Sequence, residues 1–412
     1  MIFRPEQLQN CNACGFCQAA CPVYRITRHE GSSARGHHAH LKALLADGVR
    51  SDRRMASHFA ECLTCRACTA NCPPGIQTDR VVVEGRSRLL AQRSPRLERF
   101  LLRCLLTDSR RLRRWMQLLR FGSGAPANLM LSLLHKLALL PTGLRRACDM
   151  LPRPKGGFLY ERLGRPPQPA GKEGISYFLS CGMNYLQPDA GEASLRVLRA
   201  LGGEVRIAEN LCCGLPAYVV GEIEIARRIA SQNLAVFSEH KGPIVSDCAS
   251  CSSFLKQYPA LLGEEALEFS TRVRDFTEFV AEQERPKSSL APRIVTYHDP
   301  CHLSRYQAAC GGRAQPRRLL KEIEGVEYRE LPEADWCCGG AGTYALRHPR
   351  LSLQILERKM NNLRLTGADT LATACPGCLL QLQYGVRKWK LPVQVLHISQ
   401  ILAQTLDERN SE

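Results

Sequence analysis

No apolar run in this sequence is long enough to cross a bilayer. The longest, NLMLSLLHKLALLP at 128–141, is interrupted by His135 and Lys136 and falls short of the roughly 20 residues a spanning helix needs. The first residues, MIFRPEQLQN, lack the uncharged apolar stretch of a secretory leader and lead straight into a cysteine-rich segment. A disulfide-bonded secreted protein is therefore not expected. A reducing, cytoplasmic compartment is, where thiolates stay available as metal ligands. Acidic residues are sparse, 39 against 56 Lys and Arg, for a formal net charge of +17. No recognised nucleic-acid module accompanies that charge, so no nucleic-acid partner is expected. A dinucleotide fingerprint is missing too: GSGAPA at 122–127 follows a basic helical stretch instead of a strand and carries Pro126 inside its turn. Without a hydride acceptor the chain is not expected to oxidise a substrate alone, and a flavin-bearing partner is implied.

What the sequence does have is cysteine, 21 in 412 residues, on a globular background of 44% hydrophobic and 23% charged residues that suits two or three domains. CNACGFCQAACP at 11–22 and CLTCRACTANCP at 62–73 share the spacing C-x2-C-x2-C-x3-C-P. That is the ligand run of a bacterial ferredoxin, in which three cysteines hold one 4Fe-4S cube and the fourth reaches the other cube. Soft thiolates at two-residue gaps present three sulfurs to one cube face. The expected sets are Cys11, Cys14, Cys17 and Cys72 for one cluster, and Cys62, Cys65, Cys68 and Cys21 for the second. Zinc, which takes four ligands in separated pairs, suits this grouping poorly. Between Cys21 and Cys62 the segments SSARGHHAHLKALLADG and RRMASHFAECLTC read as helices.

From residue 175 a second pattern appears twice at a period of about 120 residues. The first copy holds Cys181, the pair Cys212-Cys213, then Cys248 and Cys251; the second holds Cys301, Cys337-Cys338, then Cys375 and Cys378. The apolar runs ISYFLS, GPIVS, RIVTY and DTLAT precede cysteines, and helix-like segments follow. Such alternation predicts parallel sheets with the cysteines at the carboxyl ends of strands. Adjacent cysteines are too close for an unstrained disulfide, so metal or redox chemistry is expected at each set. Cys104, Cys148 and Cys310 stand alone and read as buried small hydrophobes.

The doubled order C, CCG, C-x2-C resembles the CCG domains of heterodisulfide reductase catalytic subunits, where five-cysteine sets can carry a non-cubane iron-sulfur cluster. With the two-cluster segment in front, and with CCGGAGTYALRHP at 337–349 an especially close match, the chain resembles the glycolate oxidase iron-sulfur subunit family, which also takes in D-lactate and anaerobic glycerol-3-phosphate dehydrogenase subunits. The resemblance implies an alpha-helical ferredoxin domain (1–85), a basic helical linker (86–170) and two α/β CCG domains with short parallel sheets (171–287 and 288–412). It implies a subunit that carries electrons from a flavoprotein toward quinone during glycolate or D-lactate oxidation, with a catalytic heterodisulfide reductase-like role or a metal-binding scaffold as alternatives. The second copy's gaps of 35 and 36 residues fit the heterodisulfide reductase pattern, so a further cluster is expected there. The first copy's gaps of 30 and 34 fall short, leaving a cluster, zinc or nothing open.

Two features stand outside these motifs. Residues 86–120 hold eleven arginines against Glu98 and Asp108, with leucines at helical spacing and a break near Pro95. They read as amphipathic helices that are either a solvated face or a docking surface for an anionic membrane or an acidic subunit, which would make the protein peripheral on the inner face of the cell membrane. His298 and His302, in YHDPCHLSR, are candidates for hydrogen-bond donors or a proton relay beside the second set.

Overall fold

A computed structural model describes residues 6–46, 52–93, 103–121, 149–150, 157–164, 174–202, 204–208, 210, 212–286 and 288–409. Cys148, Pro95 and the 122–127 segment fall outside them.

The N-terminal lobe is helical. Between the two cysteine combs run Ala34–Leu45, N-capped by Ser33, and Arg53–Glu61, N-capped by Asp52, whose carboxylate accepts from the Met55 amide at 2.7 Å. Thr78–Arg93 follows the second comb, runs across residue 85 and packs on both. Leu41, Phe59, Val81, Val82 and Leu89 close this small core. The combs themselves form short turns of helix, Phe16–Ala20, Pro22–Thr27 and Ala67–Ala70.

The rest of the described chain builds two parallel sheets of matching topology. The first contains β1 (Ile175–Tyr177), β2 (Val205–Ile207), β3 (Ile244–Ser246) and β4 (Val273–Asp275) in the order β2-β1-β3-β4. The second contains β5 (Ser288–Tyr297), β6 (Ile323–Tyr328), β7 (Thr370–Thr373) and β8 (Gln394–His397) in the order β6-β5-β7-β8. Each order is the other's after a shift of four strands, as an internal repeat demands. β1, β3 and β7 are buried throughout, which parallel strands covered on both faces require.

The two sheet lobes exchange contacts reciprocally. Helix Cys181–Tyr185 of the first packs on Pro376–Lys388 of the second, and Cys301–Ser304 of the second packs on Ala249–Leu255 of the first. Pro188–Ala200 meets Ile398–Arg409, and the equivalent helices Ala314–Lys321 and Phe276–Glu282 also meet. These crossed pairs define an approximate two-fold relation between the lobes. Near its centre the Ala249 amide donates to the Ala374 carbonyl at 3.1 Å, and Gly182 approaches Pro376 so closely that an added Cβ would lie 2.7 Å from a ring carbon.

Candidate functional site

Strand order explains why five cysteines converge in each lobe. Cys181 follows β1, Cys212 and Cys213 follow β2, and Cys248 and Cys251 follow β3, three neighbours in one sheet. Cys301, the Cys337-Cys338 pair, and Cys375 with Cys378 follow β5, β6 and β7 in the same way. The crevice beyond the carboxyl ends of parallel strands is where such sheets build sites. After each cysteine pair the chain turns through a glycine in the left-handed region, Gly214 at φ 91° and Gly339 at φ 81°, a conformation costly for any residue with a Cβ. Cys248 and Cys375 are N-caps of the helices that follow; contact with Cys248 and Cys378 holds the Cys375 thiol well below the ordinary range, while Cys248 is pushed well above it.

The thiols form one continuous series of contacts. In the first lobe Cys181 meets Cys212, Cys212 meets Cys213, Cys213 meets Cys251 and Cys251 meets Cys248. Cys248 then touches Cys375 of the other lobe, its repeat equivalent, at the approximate two-fold. From Cys375 the series continues through Cys378, then Cys338 with an Sγ to Sγ distance of 3.6 Å, then Cys337 and Cys301. The Ser250 hydroxyl reaches across the dyad to within 3.3 Å of the Cys375 sulfur. Two sites that the repeat would place apart are therefore back to back.

The helical lobe joins this series. The Cys65 thiol packs beside that of Cys337, and this neighbour together with burial raises it far above the ordinary thiol range. Val23, Leu63, Cys65 and Ala67 pack with Trp336, Cys337, Tyr344 and Ile355 in one buried cluster. The Tyr306 hydroxyl donates to the Thr64 carbonyl at 2.8 Å, the Arg66 guanidinium stacks on the Tyr306 ring at 3.8 Å, and Arg305 donates to the Cys65 carbonyl at 3.2 Å.

Within the helical lobe, Cys17 is surrounded by Cys11, Cys14 and Cys72, while Cys68 is surrounded by Cys62, Cys65 and Cys21. Each grouping thus crosses between combs. Cys21, Cys62, Cys65 and Cys68 also line one pocket. Burial pushes Cys21 up to about 12 and Cys62 up to about 11. A pocket ringed by four thiols, Cys65 buried and the other three half-buried, fits a soft multinuclear metal cluster, which would displace their protons on binding.

The lobes differ in one core position. His298, before Cys301, is fully buried, and neither ring nitrogen has a hydrogen-bond partner. Burial depresses its pKa to about 3, so the ring is neutral. Its nitrogen and the sulfurs of Cys338 and Cys378 all lie within 4.8 Å of one another. An orphaned imidazole aimed at two thiols is a ligand or donor set that fits a metal centre. The first lobe has Phe178 at the equivalent place. His302 is instead engaged with the Ser253 hydroxyl at 2.9 Å and stacked on Tyr306, bridging the lobes.

Lys359 is a residue that pattern reading passed over. Its ammonium, fully buried, donates to the Ala334 carbonyl at 3.1 Å and to that of Glu333, and burial brings its pKa down to about 8 against the opposing pull of Cys338 and Asp299. The signal was present: it occupies an inward position with Ser352, Ile355, Leu356, Met360 and Leu363 in the helix Pro349–Thr366. Cys104 and Cys310 are half-buried and not core residues as expected. In the basic segment Arg86 is half-buried and its guanidinium is spent on the backbone carbonyls of Phe59, Cys62 and Val219, and Arg88 pairs with Glu84 at 2.8 Å, so those two are not free surface charges for docking.

Comparison with known proteins agrees with this architecture. A 4Fe-4S dicluster domain model matches residues 7–76, and a cysteine-rich CCG domain model matches 175–256 and 295–383. A probable glycolate oxidase iron-sulfur subunit of Bacillus subtilis is 30% identical over 98% of this chain and 95% of its own. Lactate utilization protein A 2 of Bacillus cereus is 31% identical over 57% of this chain and 99% of its own. The crystal structure of a hypothetical protein from Helicobacter pylori shares the fold, with a TM-score of 0.52 at 11% identity, covering 97% of this chain and 72% of that one. Among the described residues no helix is long and apolar enough to cross a membrane. With a dicluster domain ahead of two CCG domains and full-length similarity to such a subunit, the chain belongs to the glycolate oxidase iron-sulfur subunit family and serves electron transfer within a multi-subunit oxidoreductase.

Proposed function

We propose that this chain carries electrons from a flavoprotein partner toward quinone during oxidation of a 2-hydroxy acid, glycolate or D-lactate. The observation that carries the reading is the unbroken series of thiol contacts from Cys65 through both sheet lobes to Cys181. In this reading Cys11, Cys14, Cys17 and Cys72 hold one 4Fe-4S cluster, Cys21, Cys62, Cys65 and Cys68 hold another, and Cys301, Cys337, Cys338, Cys375 and Cys378 hold a third centre. Cys181, Cys212, Cys213, Cys248 and Cys251 form a fourth site. Iron-sulfur clusters, when bound, accept and release electrons one at a time.

The chain's own residues set the conditions for that work. The packing of Val23, Leu63, Trp336 and Ile355 excludes water from the junction between Cys65 and Cys337. Lys359 and Arg305 supply buried positive charge beside thiolates, which raises the reduction potential of whatever those thiolates bind.

The reading is tested by reconstitution. The iron-loaded chain alone should reduce no dye with glycolate or D-lactate, and adding the flavoprotein should restore activity. Dye reduction by the flavin-free chain alone would sink it. Replacing Cys337 and Cys338 together by serine should remove iron beyond the about eight atoms of two cubes and abolish turnover of the assembled complex.

A further inference from the structure

The thiol series has two ends, and they are treated differently. At one, Cys337 and Cys301 are covered by the helical lobe through Cys65. At the other, the repeat equivalents Cys212 and Cys181 border a crevice that is partly open to solvent. Its walls are Leu105, Leu106, Leu112 and Leu179, the rings of Tyr160 and Tyr185, and the polar groups of Asn184, Asn210, Ser109 and Arg113. Two asparagines are held in place: Asn184 accepts from the Tyr160 amide at 2.9 Å, and Asn210 clasps both the amide and the carbonyl of Leu179. Arg113 lies over the Tyr160 ring at 3.9 Å. A crevice that sets leucine and tyrosine side chains beside amide, hydroxyl and guanidinium groups suits an aromatic or quinonoid ring bearing carbonyl oxygens.

The helix that walls this crevice, Ser109–Phe121, has a second face. Arg110, Arg111, Arg114, Trp115 and Leu118 are exposed, and at 3.6 residues per turn they fall within an arc of about 140°. Trp115 is 50% exposed and Leu118 63%. Three arginines beside an exposed tryptophan and leucine make the face of a helix lying in an anionic bilayer surface. Its opposite side carries Ser109, Leu112 and Arg113 into the crevice.

We propose that this crevice binds a quinone head group drawn from the bilayer on which the 109–121 helix rests, so that the first cysteine set is the outlet of the series. The proposal rests on the electron-transfer reading above. A quinone takes up two electrons and two protons to become the quinol; the electrons come from the reduced flavoprotein and the protons from water.

The test uses the full iron-loaded chain and a fluorescent hydroxyquinoline N-oxide quinone analogue whose emission is quenched on binding. Saturable quenching is expected for the wild type, and at least tenfold weaker binding for Leu112→Trp, which fills the crevice, at unchanged iron content. Equal binding by the two chains, or none by the wild type, overturns the proposal. Should Leu112→Trp lose iron, an azido-quinone photolabel on the wild type decides: adducts within 105–113 or 179–185 support the site, and adducts confined elsewhere refute it. Co-sedimentation with phosphatidylglycerol vesicles should be lost when Arg110, Arg111 and Arg114 are all changed to glutamate; retention refutes the bilayer placement. Quenching needs no flavoprotein, so a wild-type complex that reduces no dye yet still quenches would sink the electron-transfer reading and leave the pocket standing.

Discussion

Arg86→Met should cost the protein a large part of its stability. Arg86 is half-buried on helix Thr78–Arg93 and its guanidinium donates to four backbone carbonyls. It reaches Phe59 at 2.9 and 3.0 Å, Ala60 at 3.3 Å, Cys62 at 2.5 Å and Val219 at 2.6 Å. Val219 belongs to the first sheet lobe, so one side chain ties that lobe to the backbone of a cysteine comb. Methionine keeps the volume, but while the Phe59 carbonyl retains the Cys62 amide at 3.4 Å and the exposed Ala60 carbonyl can turn to water, the part-buried carbonyls of Cys62 and Val219 lose the Arg86 donor. At about 1–2 kcal/mol for each of those two carbonyls, the loss is about 2–4 kcal/mol, against a total of about 5–15 kcal/mol for a folded protein. Arg86→Lys should recover less than half, because one ammonium cannot span carbonyls arranged around a planar fork. Anaerobic urea unfolding followed by far-UV circular dichroism, with iron content read in parallel, measures both the lobe's stability and its retention of metal near Cys62. A loss below about 1 kcal/mol with full iron retention would refute the assignment of Arg86 as a structural tie.

Gly182→Val drives a branched side chain into Pro376, and overpacking of this kind costs about 1–3 kcal/mol, visible as a lowered thermal midpoint; an unchanged midpoint would show that the lobes can slide. Cys21 and Cys62 keep their protons in the fold, at about 12 and about 11, whereas an unfolded thiol titrates near about 8.5. Their contribution to the iron-free chain is therefore complete below about 8.5 and is lost as pH rises toward those folded values. Urea midpoints at rising alkaline pH should fall more steeply for the wild type than for a Cys21→Ser, Cys62→Ser variant, and parallel curves would contradict this. His298→Phe, which copies the first lobe, breaks no hydrogen bond and should leave the fold intact while altering the paramagnetic spectrum of the second site; an identical spectrum would remove His298 from that site.

Much of the architecture was legible because cysteine motifs sit beside strands. β1, β3 and β7 fall within the apolar runs that precede cysteines, β5 ends on one of them but starts five residues earlier at Ser288, and the helices between the combs begin at clear caps, Ser33 and Asp52. β2, β4 and β6 were not legible, because they are three to six residues long and carry Arg206, Arg274, Glu324 or Glu327 where a buried strand would show only apolar residues. The contact of Cys248 with Cys375 joins residues 127 positions apart, and nothing local announces it. The arginine run misled in part because charge density does not report direction: Arg86 points inward, Arg113 lies over Tyr160, and Arg110, Arg111 and Arg114 face out.

The approximate two-fold carries a consequence for how such a chain arose and why it cannot be subdivided. Two like halves meeting through equivalent helices are what remains when a symmetric pair of identical subunits is fused end to end. A fused pair is free to let its halves diverge, as His298 and Phe178 have done, because each copy is now read once per molecule. Neither half is self-sufficient, since Ala249 and Ala374 complete each other's backbone bonding and each half's first cysteine helix is roofed by the other's last. Either half made alone would present raw thiols and unpaired amides to solvent, so aggregation or oxidation, and not a smaller working module, is the expected fate of a truncated chain.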